Sequence, residues 1–133
     1  MPRVFALIGL AALSACAPQQ TACGADKFFC TDPSSWEQHA SNMSTARLMQ
    51  LHAVDWRYER PPTEIFAKLL GARGDEALKA LSSYMHEHPD TRTESFYSPI
   101  ISEVAFSSHM PACQSQYRKE LQASIGNVSE VRC

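Results

Sequence analysis

The sequence predicts an all-α protein, a small compact bundle of four to five short helices stapled by disulfides. From Ser34 onward the apolar residues recur at spacings of three and four, the period of a helix, and no stretch alternates strictly as a half-buried strand does. The chain has 133 residues, of which 44% are hydrophobic, so it suits a single domain with its own core. We therefore expect the helical domain at residues 34–126 and a C-terminal tail at residues 127–133.

Two helices are predicted in the first half of this domain. The first spans residues 34–41. The second spans residues 44–58 and ends before Pro61-Pro62, a pair that cannot continue a helix. The residues that share its apolar side, or widen it, are Leu48, Met49, Leu51, Val54, Asp55, Trp56 and Tyr58.

Two more helices are predicted between residues 63 and 89. Thr63 is the expected N-cap of the first, which ends at Gly71, a residue suited to a left-handed helix exit. Gly74-Asp75 supplies a turn and an N-cap for the second, which runs from residue 76 to about residue 87. The residues expected on its buried face are Leu78, Leu81 and Met85.

The last part of the domain predicts a further pair of helices. Ser98 is a candidate N-cap with Pro99 at the first helical position, and an earlier start at Phe96, with a kink, is the alternative. Pro111 is expected to start the final helix, which ends at Gly126.

Residues 63–85 combine a helix, a Gly-x-x-Gly-Asp turn and an Ala-Leu-x-x-Leu segment. This pattern resembles one helical hairpin of the HEAT-repeat type. No second copy follows at a period of about 40 residues, so an extended solenoid is not expected. The resemblance implies a compact bundle that contains one such hairpin.

The N-terminus has the pattern of an export signal. Arg3 precedes ten uncharged apolar or small residues at 4–13, a run too short to span a bilayer. The following Leu13-Ser14-Ala15-Cys16 resembles the bacterial lipobox. The resemblance implies that residues 1–15 are a signal peptide and that Cys16 is lipidated and anchors the mature chain in the lipid bilayer. The alternative is an ordinary secretory signal that leaves Cys16 as a spare thiol.

Residues 16–33 would then form the lipidated N-terminus, a short tether and a cysteine loop. The tether at residues 17–22 reaches about 20 Å when extended. In Gram-negative lipoproteins an Asp after the lipidated Cys signals retention in the inner membrane, and here that residue is Ala17. The resemblance therefore implies an anchor in the outer membrane, with the domain facing the periplasm.

Four cysteines remain after Cys16: Cys23, Cys30, Cys113 and Cys133. Two disulfides are the default in an exported protein. We favour the local pairing of Cys23 with Cys30 and of Cys113 with Cys133. The alternative pairing would join the two ends of the chain. Zinc or haem binding by these thiols is disfavoured because no C-x-x-C occurs.

Several function classes are disfavoured by composition and motifs. Fourteen acidic and 12 basic residues give a formal net charge of −2, with no basic cluster for nucleic acid. No G-x-S-x-G, P-loop or G-x-G-x-x-G motif occurs, so we expect neither an enzyme with these motifs nor a bound cofactor.

The strongest candidate for a binding surface is the end of the second helix. It carries Trp56, Arg57, Tyr58 and Arg60, residue types that are enriched at binding hot spots, beside a proline turn. The alternative is a helix end with the two aromatic rings in the core and the arginines pointing outward. We expect a protein-binding module, either an envelope assembly factor or an inhibitor or immunity-type protein.

Histidine and methionine side chains suggest copper or zinc binding as the alternative function, since thioether and imidazole ligands select copper. The H-E-x-x-H spacing of zinc proteases is absent, and residues two apart on a helix point in nearly opposite directions. A solvated helix end and core methionines explain the same residues. The candidates are Met49 with His52, Met85 with His86, His109 with Met110, and His86-Glu87-His88.

Overall fold

The structure, a computed structural model, describes residues 21–133. These residues form an all-α fold, as predicted, with short 3-10 turns between the helices and no strand in the described range. Five helices have seven or more residues, and two are single turns. The helices are α1 (Ala22–Ala25), α2 (Trp36–Ala40), α3 (Thr45–Tyr58), α4 (Ile65–Gly71), α5 (Asp75–Glu87), α6 (Glu94–Ser107) and α7 (Arg118–Ile125).

The helices enclose one core. The closest packing is between α4 and α6, while α3 lies against α4 and α5, and α7 lies against α5. None of the helices within residues 21–133 has the length and apolar character needed to cross a membrane. The side chains that are fully buried at the centre include Phe66, Phe96, Leu51, Leu81, Met85 and Val104.

The predictions for α3 and α5 are confirmed. Ser44 caps α3, because its hydroxyl oxygen accepts a hydrogen bond of 3.1 Å from the Arg47 N–H. The expected buried face of α5 is fully buried. The residue before α5 is Gly74, which has a φ of 61° and serves as its N-cap.

Gly71 has a different role from the predicted left-handed exit. It is the last residue of α4, and the positive φ angles of this region belong to Glu64 and Gly74. A Cβ on Gly71 would lie 2.6 Å from the Glu103 Cβ, far inside contact distance. Gly71 therefore allows α4 to approach α6 closely, and the Ser108 hydroxyl donates to its carbonyl oxygen over 2.6 Å. The predicted helix end at Gly71 is confirmed. The predicted left-handed exit was wrong, because the glycine serves a contact between residues distant in sequence.

The N-cap of α4 also differs from the prediction. Glu64, not Thr63, occupies the cap position, and it has a left-handed backbone with no side-chain cap bond. The backbone N–H of Thr63 instead donates to both carboxylate oxygens of Asp55, each at 3.1 Å. A tertiary contact has therefore replaced the local cap.

The sixth helix begins at Glu94, so the predicted N-cap at Ser98 is wrong and the alternative early start is closer to the structure. Pro99 lies inside α6. Its missing N–H leaves the Ser95 carbonyl without the usual helical donor, but Ser95 is exposed and water can replace that donor. Burial of Phe96 favours the extra turn.

The last helix starts at Arg118 rather than at Pro111. The segment before it is a 3-10 turn and a loop, and Asp75 of α5 holds this loop in place. The Asp75 carboxylate accepts hydrogen bonds from the Ser115 hydroxyl and, over 2.8 Å, from the Gln116 side chain. Asp75 is therefore the first residue of α5 and binds the loop instead of capping its own helix.

The local disulfide pairing is confirmed. Cys23 pairs with Cys30 and Cys113 with Cys133, with Cα–Cα distances of 4.7 and 5.3 Å. The second bond holds the C-terminal tail against the bundle, where Val131 is fully buried. Each disulfide thus links residues within one end of the fold, and neither bond joins the two ends.

Candidate functional site

The predicted patch lies at the C-terminal end of α3. Trp56 and Tyr58 are half-buried, whereas Arg57 and Arg60 are exposed. The two aromatic rings therefore contribute to packing and still present part of their surface to solvent. We call Trp56, Arg57, Tyr58 and Arg60 the α3-end patch.

Trp56 is held from two sides. Its indole N–H donates to the Ser95 hydroxyl oxygen over 3.0 Å. Its ring lies edge-to-face on Phe96 of α6, with the ring centroids 5.2 Å apart. The exposed part of the indole is therefore in a defined orientation before any partner binds.

The two arginines of the patch make different contacts. Arg57 forms an ion pair with Asp90, and its guanidinium carbon lies 5.9 Å from the centroid of the Trp56 ring. Arg60 donates over 2.7 Å to the Trp56 carbonyl oxygen at the end of α3. Both side chains are thus directed along the same surface as the indole, although the exposed Arg57 pair adds little stability.

Asp55 positions the loop that follows the patch. Its carboxylate is fully buried and accepts the two hydrogen bonds from the Thr63 N–H described above. Burial raises the pKa of this carboxyl, and the Thr63 N–H opposes that shift. The loop between them contains the cis peptide bond Arg60–Pro61.

A stack of rings that the sequence analysis did not identify continues from the patch. Tyr84 of α5 and His88, the residue that follows α5, are stacked with centroids 4.1 Å apart, and Tyr84 also stacks on Phe96 at 5.8 Å. Phe96 connects this stack to Trp56. The spacing of four residues between Tyr84 and His88 on a helix was the signal that could have revealed the first contact.

A groove of about 480 Å³ runs between α3 and α5. At one end the Thr45 hydroxyl donates to the Glu76 carboxylate over 2.8 Å, and Tyr84 and His88 line the other end. Since Thr45 and Glu76 both lie in the first turn of their helices, α3 and α5 run in the same direction. We call this feature the α3–α5 groove. Its end at Tyr84 and His88 lies next to the α3-end patch, and the Tyr84 ring is between the two.

The histidine and methionine pairs do not form a common site. Met49 and Met85 are core residues. His52 is also buried, and its Nε2 lies 2.9 Å from the Phe96 carbonyl oxygen, while its Nδ1 has no hydrogen-bond partner among the described residues. Burial lowers the pKa of His52 to about 4. Within residues 21–133 no group of three or more His, Cys, Asp or Glu side chains could hold a metal ion.

Cys16 and the predicted signal peptide lie outside the described residues. The described chain begins at Thr21, and α1 docks on the first half of α3. Asp26, next to α1, accepts two hydrogen bonds from Arg47, at 2.6 and 2.8 Å, and the pKa of Asp26 is lowered by this contact. Arg57 lies ten residues further along α3, about 15 Å at 1.5 Å per residue. The α3-end patch and the start of the described chain are therefore at opposite ends of α3.

Comparisons of the chain with protein-family models, with curated proteins and with solved structures found no match. Its function is therefore inferred from its own residues.

Proposed function

We propose that this chain is a lipid-anchored lipoprotein of the bacterial envelope that binds a protein partner through the α3-end patch. Cys16 carries the lipid, the anchor lies in the outer membrane, and the helical domain faces the periplasm. The partner makes the protein either an assembly factor or an inhibitor or immunity-type protein.

The anchor is supported by the N-terminal sequence and by the cysteines. Residues 13–16 match the lipobox pattern directly after a charge-free apolar run. The other four cysteines pair as two disulfides, and disulfides persist in oxidising compartments such as the periplasm. Cys16 is then the one cysteine that remains for lipidation, which agrees with the odd number of five.

The observation that carries the binding proposal is the fixed orientation of Trp56 at a partly exposed position. A side chain that is already ordered loses little entropy when it becomes buried in an interface. Trp and Arg contribute most often to binding hot spots, and here the Arg57 guanidinium borders the indole. A protein partner that covers this surface would gain apolar burial and charge-assisted hydrogen bonds together.

The distance between patch and anchor fits this function. An extended chain from Cys16 to Thr21, where the described residues begin, spans at most about 18 Å. The patch adds about 15 Å along α3 from the point where α1 docks. A partner in the periplasm can therefore reach the patch while the lipid stays in the membrane.

The anchor is tested with the Cys16→Ser variant in the source organism. We expect the variant to lose incorporation of labelled palmitate and to leave the membrane fraction during a carbonate wash. A Cys23→Ser/Cys30→Ser double variant is the matched control and should stay lipidated. Normal maturation and membrane retention of Cys16→Ser would disprove the anchor.

The patch is tested by charge reversal, which leaves the core intact. We expect one envelope protein to co-purify with the solubilised wild-type chain and with Lys119→Glu, an exposed control position on α7. Arg57→Glu and Arg60→Glu should reduce its recovery about tenfold or more. Equal recovery with all four chains would show that the partner does not use the patch.

A further inference from the structure

The α3–α5 groove has the length and shape needed to hold a helix. Between Glu76 and Glu87, which both line it, α5 advances about 17 Å, or about three turns. The groove is open to solvent rather than an enclosed cavity, and its two walls are helices that run side by side. This shape suits an elongated segment better than a small ligand, which needs a site that surrounds it.

The floor of the groove is apolar and built mainly from small side chains. Ala46 and Met49 of α3 face Ala80 of α5 across it. Small residues allow the backbone of a third helix to approach to the usual packing distance of about 8–10 Å. An amphipathic helix would place its apolar side chains on these positions.

The end of the groove at Tyr84 and His88 carries an unpaired carboxylate. His88 is held there, because its Nδ1 lies 3.1 Å from the Tyr84 carbonyl oxygen, which can only accept. The neighbouring Glu87 carboxylate forms no ion pair and no hydrogen bond in the part of the chain that the structure describes. A positively charged donor would pair with this carboxylate.

The charges of the whole groove point to the same kind of ligand. Glu76 and Glu87 lie on its wall, and Lys79 is the single lysine or arginine among the residues that line it. The excess of carboxylates is at the two ends, so a basic side chain at either end of a bound helix finds an opposite charge.

We propose that the α3–α5 groove binds an amphipathic helix of the partner protein, which packs on Ala46 and Ala80 and places a Lys or Arg side chain against Glu87. The proposal rests on the protein-binding function proposed above and names the class of partner surface. The Tyr84 ring lies between groove and patch, so the same helix, or the segment that follows it, reaches Trp56.

Site-specific photocrosslinking of the full-length chain in the source organism tests this proposal. A photoreactive phenylalanine analogue replaces Ala46 or Ser83 in the groove, Arg60 in the patch, or Ser102, an exposed control position on α6. We expect crosslinks from the groove and patch positions to one protein and none from position 102. Mass spectrometry of the crosslinked peptide should identify a predicted amphipathic helix with a basic residue.

Charge reversal then tests the chemistry of the groove. Glu87→Lys should reduce the crosslink from position 46 about tenfold, and Glu37→Lys, an exposed control on α2, should leave it unchanged. The more conservative Glu87→Gln should give an intermediate loss. Unfolding temperatures equal to that of the wild type show that these exposed substitutions leave the fold intact.

Each of the other crosslinking results would contradict one part of the proposal. Crosslinks from position 60 alone overturn the groove proposal and leave the patch intact, whereas no crosslink from any position overturns both. A crosslink to a second copy of this chain shows self-association and overturns the partner helix. A crosslinked segment without a basic residue, or one that is insensitive to Glu87→Lys, overturns the proposed charge recognition.

Discussion

His52 of α3 and Phe96 of α6 are joined in the core by a hydrogen bond of 2.9 Å between the imidazole Nε2 and the Phe96 carbonyl oxygen. The two rings also pack on each other with centroids 4.8 Å apart. Because the carbonyl oxygen can only accept, Nε2 carries a proton. Burial lowers the pKa of His52 to about 4, so the ring is neutral at pH 7. Phe96 in turn supports Trp56 and Tyr84, so this contact lies beneath both the patch and the groove.

The burial of His52 predicts a stability that falls in acid. Its pKa is about 4 in the folded protein and about 6.5 when unfolded, so the unfolded chain binds more protons between these values. The free energy of unfolding is therefore highest above pH 6.5 and falls as the pH drops towards 4, by about 3 kcal/mol from this group. Urea unfolding at several pH values measures the trend.

His52→Gln is the control for this pH dependence. Glutamine retains an N–H donor for the Phe96 carbonyl and does not titrate. The difference in unfolding free energy between wild type and variant should shrink between pH 6.5 and 4, while the contribution of Asp55 cancels. Parallel pH profiles for the two chains would contradict the assignment to His52.

Gly71→Ala is expected to destabilise the fold by about 2 kcal/mol, because the added methyl group would press on the Glu103 backbone and separate α4 from α6. Gly126→Ala is the comparison. It adds a methyl group where nothing lies within 4 Å, so its cost of about 1–3 kcal/mol comes only from a backbone with φ 79° and ψ −171° that suits glycine. Chemical denaturation measures both losses, and a loss below about 0.5 kcal/mol for Gly71→Ala would argue against the close helix contact.

Arg73 connects the α4–α5 turn to the start of α3, which predicts a second stability effect. Its guanidinium donates to the Thr45 hydroxyl oxygen over 2.9 Å and to the Met43 carbonyl oxygen over 2.6 Å. Arg73→Ala should lower the free energy of unfolding by about 2 kcal/mol, since bonds to a charged donor are lost. A loss below 0.5 kcal/mol for Arg73→Ala in urea unfolding, on the order of an ordinary surface change, would contradict the prediction.

The two disulfides should contribute separately to stability. In the chain-entropy model, the bond between Cys113 and Cys133 contributes about 3 kcal/mol and the bond between Cys23 and Cys30 about 2.5 kcal/mol, because the first closes the longer loop. Paired Cys→Ser variants, measured by thermal unfolding without reductant, give each value. If the two losses fail to add in the fourfold variant, the two ends of the fold are coupled.

Predictions from the sequence succeeded where the signal is local. The spacing of Leu78, Leu81 and Met85 identifies the buried face of α5, and Ser44 identifies the start of α3. For the candidate site, the sequence predicted the α3-end patch but not the residues that hold its side chains in place. Ser95, Phe96 and Asp90 follow the patch by 30 residues or more, and no periodic pattern connects positions so far apart.

The sequence by itself determined the helical class, the boundaries of α3 and the favoured disulfide pairs, because helical period, capping and short loop closure act over a few neighbouring residues. Only the tertiary structure decided that Gly71 is a contact between helices, that Pro99 lies inside α6, and that Tyr84 joins the groove to the patch. These features depend on which helices approach each other, and that choice is made by burial of the whole core rather than by any local segment.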